Sequence, residues 1–450
     1  MSKPTLVCAF PLDTLSGYGH HSRILAKSLL KFTDQYDIQF LSMPWGSTPF
    51  GALDDNDLTE KAIKDRIIAN GQLTFKPDIW MQCTIPSEMQ KIGQINILIT
   101  AATEADIMPA NFVDGCNRAD LIIVPSTFTA KVIQNTILEK VDNNTKQVVE
   151  RSKVNTPVEV LFEGIDINVY SKSNVVETDL VQTLNDIPEG FCYLCVGHWL
   201  QGNLFKDRKD IGGLIHTFLT TFMRKGVKNR PALILKTSSA GFSLTERDQI
   251  IDKIWQIKEL IREQGSFDGK FPSIYLLNGE LSDSEMNMLY RHPKVKSMVT
   301  FAKAEGFGLP LAEFAMTGKP IIAPNYSGYL DFIISDHHAL LPVQMAKVDN
   351  TAANEWIPKD SQWSQINYIF AGQVLQNVMD HYPKYLERSR KSPKFMKDNF
   401  SMDKMTDKFA DILNKYCKFS EQKLIKLPEL VKKSENGQPK IKLPKLTKMT

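Results

Sequence analysis

Short apolar runs alternate along most of this chain with longer segments whose apolar residues recur every three or four positions. In the first half the runs predict strands at 5–10 (TLVCAF), 37–43, 78–83, 96–100 (NILIT), 121–125 (LIIVP) and 158–162 (VEVLF). The segments between them predict helices at about 20–32, 57–70, 109–118 and 127–139. Near-continuous apolar runs such as LIIVP suit strands buried on both faces, as in a parallel sheet. The second half repeats the pattern. Strands are expected at 191–197, 231–237, 274–278, 295–301 and 320–324, and helices at about 209–224, 246–264, 282–292 and 310–317. Between the halves, 171–190 has no strong period and contains Pro188 and Gly190, the expected boundary. Residues 364–417 read as helical, and the pattern dies near Phe419.

Strand–helix alternation, twice over, predicts an α/β chain of two doubly wound, Rossmann-like domains facing across a cleft. The expected limits are 1–180 for the first domain, 190–375 for the second, 376–418 for C-terminal helices and 419–450 for a tail. A length of 450 residues agrees, since it exceeds what one core usually supports.

Composition changes this picture little. Apolar content of 42% and charged content of 23% are ordinary for a globular protein. No apolar run approaches the ~20 residues of a membrane span. The start, MSKPTLVCAF, turns at once into a strand and lacks a signal-peptide layout, so a cytosolic location is expected. Cys192 and Cys195 have C-x-x-C spacing, but residues three apart on a strand face opposite sides. With no second Cys/His pair to match, neither a metal site nor a redox site is expected.

Charge matters through its placement. Residues 421–450 hold eight lysines against three glutamates, so +5 of a net +3 sits there and the remaining body is at −2. That tail also repeats itself: Ile425–Leu430 (IKLPEL) recurs as Ile441–Leu446 (IKLPKL). Its polar surroundings cannot build a core, which leaves either a disordered basic tail or a duplicated docking motif for a partner.

Ligands in doubly wound sheets bind beyond the carboxyl ends of strands. After the first strand comes Ser16-Gly17-Tyr18-Gly19-His20-His21. Gly17 and Gly19 permit close backbone approach, and the helix that follows favours phosphate at its start. The third glycine of the dinucleotide fingerprint is missing, and no acid ends the second strand, so a nicotinamide cofactor is disfavoured. His20 and His21 read either as substrate contacts or as polar residues of a first helical turn. Glu104, after NILIT, reads either as a cleft acid or as a helix cap. In the second half, Arg208 or Lys209 together with Lys236, which ends ALILKTSS, could clamp a diphosphate.

The most informative stretch is 304–320, AEGFGLPLAEFAMTGKP. A glycine-rich loop runs into a helix expected to open at Pro310 and close at Gly318, which makes its start an anion seat. Glu305 and Glu313 bracket that seat, an arrangement suited to a nucleotide sugar.

This stretch resembles the E-x7-E pattern of the retaining, nucleotide-sugar-dependent family 4 glycosyltransferases of the GT-B fold. Companion segments are similar in the same order: SGYGHHSRILAKSL, TEADIMPANFVDGCNRADLIIVPSTFTAKVI, VLFEGID, VGHWLQGNLFKDRKDIGGLIHTF, ALILKTSS and LSDSEMNMLYRHPKV. The resemblance spans roughly 5–415. VTFAKAEGFGLPLAEF and PNYSGYLDFI are similar to bacterial and tailed-phage members. The resemblance implies that Glu313 accepts the ribose hydroxyls of the donor. Glu305 would contact the transferred sugar, with the amides of Phe307, Gly308 and Leu309 near donor oxygens. Arg208 and Lys236 would neutralise the diphosphate, with Lys209 as the competing base in the same run, and Gly17 and Gly19 would let the first domain approach it. Neither a cofactor nor an essential metal is implied, and retention needs no glycosidase-like carboxylate pair. Two departures stand out. The usual arginine–lysine–glycine run is here Asp207-Arg208-Lys209-Asp210, and a usual Gly-Gly-x-x-Glu is replaced by Ser327-Gly328-Tyr329-Leu330-Asp331.

The expected function is therefore transfer of a sugar from a nucleoside-diphosphate sugar to an acceptor hydroxyl on a glycan, lipid, protein or DNA base. The acceptor class stays open. One alternative keeps the chemistry but takes a hydroxymethylated DNA base, which the body's negative charge disfavours. Another is a non-catalytic sugar-nucleotide-binding scaffold acting through the tail.

Overall fold

The computed structural model describes residues 3–142, 144–170, 178–199, 201–223, 229–238, 243–265 and 269–419. The IKLPxL repeat at 425–446 lies outside them. The first half forms strands β1 (Thr5–Phe10), β2 (Asp37–Ser42), β3 (Ile79–Cys83), β4 (Ile95–Ile99), β5 (Leu121–Val124), β6 (Ile137–Val141), β7 (Val148–Lys153) and β8 (Val158–Val160). Six of these make a parallel sheet in the order β2-β1-β3-β4-β5-β8. The side-chain period of two explains its burial. Leu6, Cys8 and Phe10 enter one core cluster while Val7 and Ala9 enter another on the opposite face.

The second half supplies β9 (Cys192–Val196), β10 (Ala232–Lys236), β11 (Ile274–Leu277), β12 (Val295–Val299), β13 (Ile321–Pro324), β14 (Ala339–Leu341), β15 (Val343–Lys347) and β16 (Gln362–Ile366). The second parallel sheet has the order β11-β10-β9-β12-β13-β14. The chain is thus α/β, with two doubly wound Rossmann-like domains. Cys192 and Cys195 enter clusters on opposite faces of β9, and all six cysteines are buried thiols.

The C-terminal helices tie the halves together. Helix Tyr368–Asp380 packs on the second sheet, where the Tyr193 hydroxyl donates to the Leu375 carbonyl at 2.6 Å. Helix Met402–Tyr416 returns to the first domain. There Ser28 bonds Thr406 at 3.0 Å, Phe32 meets Phe409 edge-on, and Lys415 pairs with Glu159 at 2.6 Å.

Four sequence expectations are corrected. The predicted helix 127–139 ends at Asn135, because Ile137 begins the antiparallel hairpin β6–β7, an exposed element whose alternation is too polar to read. The supposedly patternless 171–190 contains a capped helix, Asp179–Asn185, with Thr178 accepting from the Val181 amide. The helical reading from 364 starts only at Tyr368, since 362–366 pairs as β16 with β15. The helix expected at 310–317 is Leu309–Ala315. Its chain end tightens into i→i+3 bonds, among them Thr317 to Phe314 and Gly318 to Ala315, before the left-handed Gly318. No helix of the described residues is long and apolar enough to cross a membrane.

Candidate active site between the two sheets

On the first domain, the loop after β1 feeds helix Gly17–Leu29. Ser16 caps it by accepting from the Gly19 amide at 2.9 Å, and the Arg23 guanidinium stitches the loop by donating to the Leu12 and Thr14 carbonyls. The two glycines differ in kind. A Cβ on Gly19 would lie 2.2 Å from the Thr14 carbonyl oxygen, so Gly19 is a packing requirement, whereas Gly17 opens onto free space. His20 is partly buried. Burial lowers its pKa, and the charge of Asp283 from the second domain opposes that. His21 is more deeply set, with Nδ1 3.8 Å from the Glu163 carboxylate. Burial pushes His21 down to about 3 and Glu163 up to about 8.

Glu104 follows β4 and caps no helix; the next one, Ala110–Cys116, has Pro109 at its cap position. Its carboxylate instead meets Arg208 of the second domain at 3.4 Å. Arg208 stands on the loop after β9. It also pairs with Glu305 at 3.4 Å and donates to the Ala304 carbonyl at 2.9 Å. Lys209 bonds the other oxygen of Glu305. Burial alone would raise the Glu305 carboxyl; the Lys209 and Arg208 charges overcome it and hold Glu305 below the ordinary carboxylate range. Glu104, Arg208, Lys209 and Glu305 thus form one ionic cluster bridging the domains.

A buried network fixes that loop from beneath. Lys303, 3% exposed, pairs with Asp210 at 3.3 Å and donates to the Asp207 carbonyl at 2.7 Å, while Tyr368 bonds Asp210. Burial raises Asp207 to about 6. Asp210 itself is left-handed, at φ 49°, where it turns the chain into helix Ile211–Phe222.

The 304–309 loop lies against the first domain. A Cβ on Gly306 would meet the Ala101 Cβ at 2.9 Å, and one on Gly328 would meet the Gly306 carbonyl oxygen at 2.0 Å. The Gly328 amide donates to the Glu305 carbonyl at 2.9 Å. Asp331, which stands in place of a glutamate in the motif departure noted above, accepts from the Thr127 amide at 2.8 Å and joins the domains at a helix start. Gly308 is left-handed at φ 92°, so only glycine is unstrained there. Phe307 is buried against Phe332, while Leu309 begins the helix. That helix has seven residues, Leu309–Ala315, with Pro310 in its first turn.

Glu313 is more deeply buried than a cleft acid needs to be, at 5% exposure. The Tyr290 hydroxyl donates to it at 2.9 Å. Burial, then the charge of Asp283, raises it to about 8 against the hydrogen bonds of Tyr290 and Tyr170. Lys236, at the end of β10, donates to the Gly279 carbonyl at 2.7 Å; burial lowers its pKa, opposed by Glu280. Sequence reasoning brought Arg208, Lys209, Glu104 and Glu305 forward, and these four meet. It missed Glu163, Lys303 and the Asp210–Tyr368 pair. Glu163, in VLFEGID, and Lys303, after VKSMVTF, do carry the signal of a charge just past a predicted strand. Among the described residues no group of three or more His, Cys, Asp or Glu is placed to hold a metal ion.

No protein-family model matches the chain, and no curated protein matches it in sequence. Solved structures do. The chain is similar to HepE from Anabaena in complex with UDP-glucose, at 12% identity over 92% of this chain and 100% of that one, TM-score 0.54. It is similar to sucrose-phosphate synthase from Thermosynechococcus elongatus, at 11% over 92% and 99%, TM-score 0.56. A glycosyltransferase from Rickettsia africae aligns at 14% over 93% and 100%, TM-score 0.54. At these identities the likeness establishes the fold: two Rossmann-like domains in the GT-B arrangement.

Proposed function

We propose that this GT-B chain is a retaining glycosyltransferase that moves a sugar from a nucleoside diphosphate to an acceptor hydroxyl, in the cytosol and without cofactor or essential metal. The observation that supports it best is the ionic cluster of Arg208, Lys209, Glu104 and Glu305, built from strand ends of both sheets. HepE, a neighbour in fold, is a protein whose complex holds UDP-glucose, and a donor of that class is the one carried over here.

In this reading a diphosphate competes with Glu305 and Glu104 for Arg208 and Lys209. A phosphate charge ~4 Å from one of these cations gains about 4 kcal/mol at an effective dielectric near 20, and arginine adds a forked hydrogen bond. Glu305, freed from Arg208, turns to the hydroxyls of the sugar. Glu313 accepts the ribose hydroxyls, Lys236 backs the diphosphate from the next strand, and the Phe307–Leu309 amides face donor oxygens. Gly17 admits the phosphates on the opposite side. The bond between the anomeric carbon and the β-phosphate oxygen breaks, and the acceptor oxygen bonds the same carbon from the same face. The acceptor proton passes to the departing phosphate oxygen. Glu104 and His20 stand on the acceptor side and orient the incoming hydroxyl.

A melting panel of nucleoside-diphosphate sugars tests this. One of them, at about 100 times its dissociation constant, should stabilise the chain by about 2.7 kcal/mol. Glu313→Ala should abolish the rise in melting temperature. A panel with no shift from any nucleotide sugar would contradict the proposal.

A further inference from the structure

The hairpin β15–β16 and the segment between its strands do not belong to either sheet, yet they reach the first domain at the loop that carries Glu104. Asp106 and Gln362 are paired twice: the Asp106 amide donates to the Gln362 carbonyl at 2.9 Å, and the Gln362 amide to Asp106 Oδ1 at 2.6 Å. Thr103, on the other side of Glu104, donates to the Trp356 carbonyl at 2.7 Å. Between these two points Ala105 is fully buried in a small apolar cluster with Val348, Ala352, Ile357 and Trp363. That cluster stands apart from the two sheet cores and is made of both domains.

Two residues further along β16, Ser364 leads to Arg208. The Ser364 amide and hydroxyl both donate to the Lys303 carbonyl, at 3.2 and 2.6 Å. The Lys303 amide donates to the Arg208 carbonyl at 2.8 Å. Arg208 then meets Glu104. The contacts therefore close a ring: Glu104, Asp106, Gln362, Ser364, Lys303, Arg208 and back to Glu104. One side of the ring is a salt bridge across the cleft and the rest is backbone-anchored. An ion pair at a partly exposed cleft costs side-chain freedom and holds weakly by itself. A ring that fixes both backbones removes most of that cost.

We propose that Asp106 is a positioning residue, which through Gln362 holds the Glu104 loop of the first domain in register with Arg208 and so sets the closed geometry of the cleft. Its consequence for turnover rests on the glycosyltransferase reading; the clasp itself does not. Spin labels on Lys76→Cys and Glu263→Cys, exposed sites on the two domains of a chain whose own cysteines are buried, read the domain separation directly. Asp106→Ala, which leaves the Gln362 amide without its acceptor, should lengthen and broaden the distance distribution. Asp106→Asn keeps an oxygen at that position and should restore it. With UDP-glucose as probe, Asp106→Ala should lower kcat by about 10- to 100-fold, as misplacement of about an ångström can do, with KM changed less than twofold. In a Glu104→Gln background the same substitution should cost nothing further. An unchanged distance distribution in Asp106→Ala overturns the clasp, and an equal loss of kcat with and without Glu104 overturns its action through that residue. If the wild type leaves UDP-glucose intact while the distances respond as stated, the clasp stands and the activity assigned to the cleft needs another donor.

Discussion

Arg208→Ala should lower turnover of the nucleotide-sugar donor by about 100- to 1,000-fold, a loss of the size seen when a preorganised charge is removed from a transition state. Two effects coincide in this residue. On the proposed function Arg208 takes the diphosphate, and in the structure it is the tie between Glu104 of one domain and Glu305 of the other. Burial works against its charge, and the two carboxylates more than offset that. Removing it leaves Glu305 with Lys209 alone and Glu104 without its partner across the cleft. Breaking one side of a buried ion pair costs roughly 3–5 kcal/mol. Glu104 is partly exposed, so a fall of about 2–3 kcal/mol in urea unfolding is expected here. Arg208→Lys should recover stability in part and little of the rate, because an ammonium cannot span two carboxylates and the Ala304 carbonyl at once. A turnover within threefold of wild type for Arg208→Ala would remove it from the site.

Glu313→Gln should do two opposite things, gain stability and lose donor. In an unfolded chain a glutamate ionises near 4.5, whereas the buried Glu313 carboxyl holds its proton to about 8. Between those values the folded state binds the extra proton, so the stability contributed by this group is full below pH 4.5 and is lost as pH rises to about 8. Glutamine keeps the acceptor for Tyr290 and removes the titration. Each tenfold in proton affinity is worth about 1.4 kcal/mol; with relaxation of the site, a gain of roughly 1–3 kcal/mol is expected at pH 8 and none at pH 4. Glu163, raised in the same sense, keeps its own slope. At pH 8, where the Glu313 carboxyl ionises, affinity for the donor nucleotide should fall about 10- to 100-fold, since an amide accepts ribose hydroxyls more weakly than a carboxylate; at pH 4 and 6, where the carboxyl keeps its proton, the loss should be small. Unfolding curves at pH 4, 6 and 8, with nucleotide titrations beside them, check both halves. A variant less stable than wild type at pH 8, with unchanged nucleotide affinity, would mark Glu313 as a structural residue.

Much of this was legible in the chain because parallel sheets write their strands as apolar runs. LIIVP and TLVCAF fall on β5 and β1; Glu104 stands just past such a run, Arg208 just before a predicted helix, and Glu305 in the glycine-punctuated loop of 304–320. What could not be read has a common cause. β6, β7 and β15 are exposed antiparallel strands whose polar faces hide the alternation, and β16 (QWSQI) breaks its apolar pattern with two glutamines and a buried Ser364. Only 364–366 of the hairpin β15–β16 fall within the helical reading from 364, and 343–363, which holds the partner of Asp106, carries no predicted element. Pairings between distant residues were equally out of reach. Nothing in TEADIMP says that Asp106 meets Gln362, 256 positions away. Nor does AEGFGLPLAEF say that its second acid will be buried under Tyr290, since that depends on how helix Asp283–Arg291 packs. Gly17 and Gly19 look alike in sequence, and only the Thr14 carbonyl beneath Gly19 tells them apart.

The account stands most directly on what becomes of the donor's anomeric bond. Proton NMR of the full chain with UDP-, GDP-, ADP- and dTDP-linked α-sugars, read before mutarotation, reports both cleavage and configuration. The account predicts release of one nucleoside diphosphate with the free or transferred sugar in the α configuration, and release slowed about 100- to 1,000-fold in Arg208→Ala. Intact donors throughout, or release by Arg208→Ala at the wild-type rate, would contradict the assigned site, and a β-configured product would contradict retention.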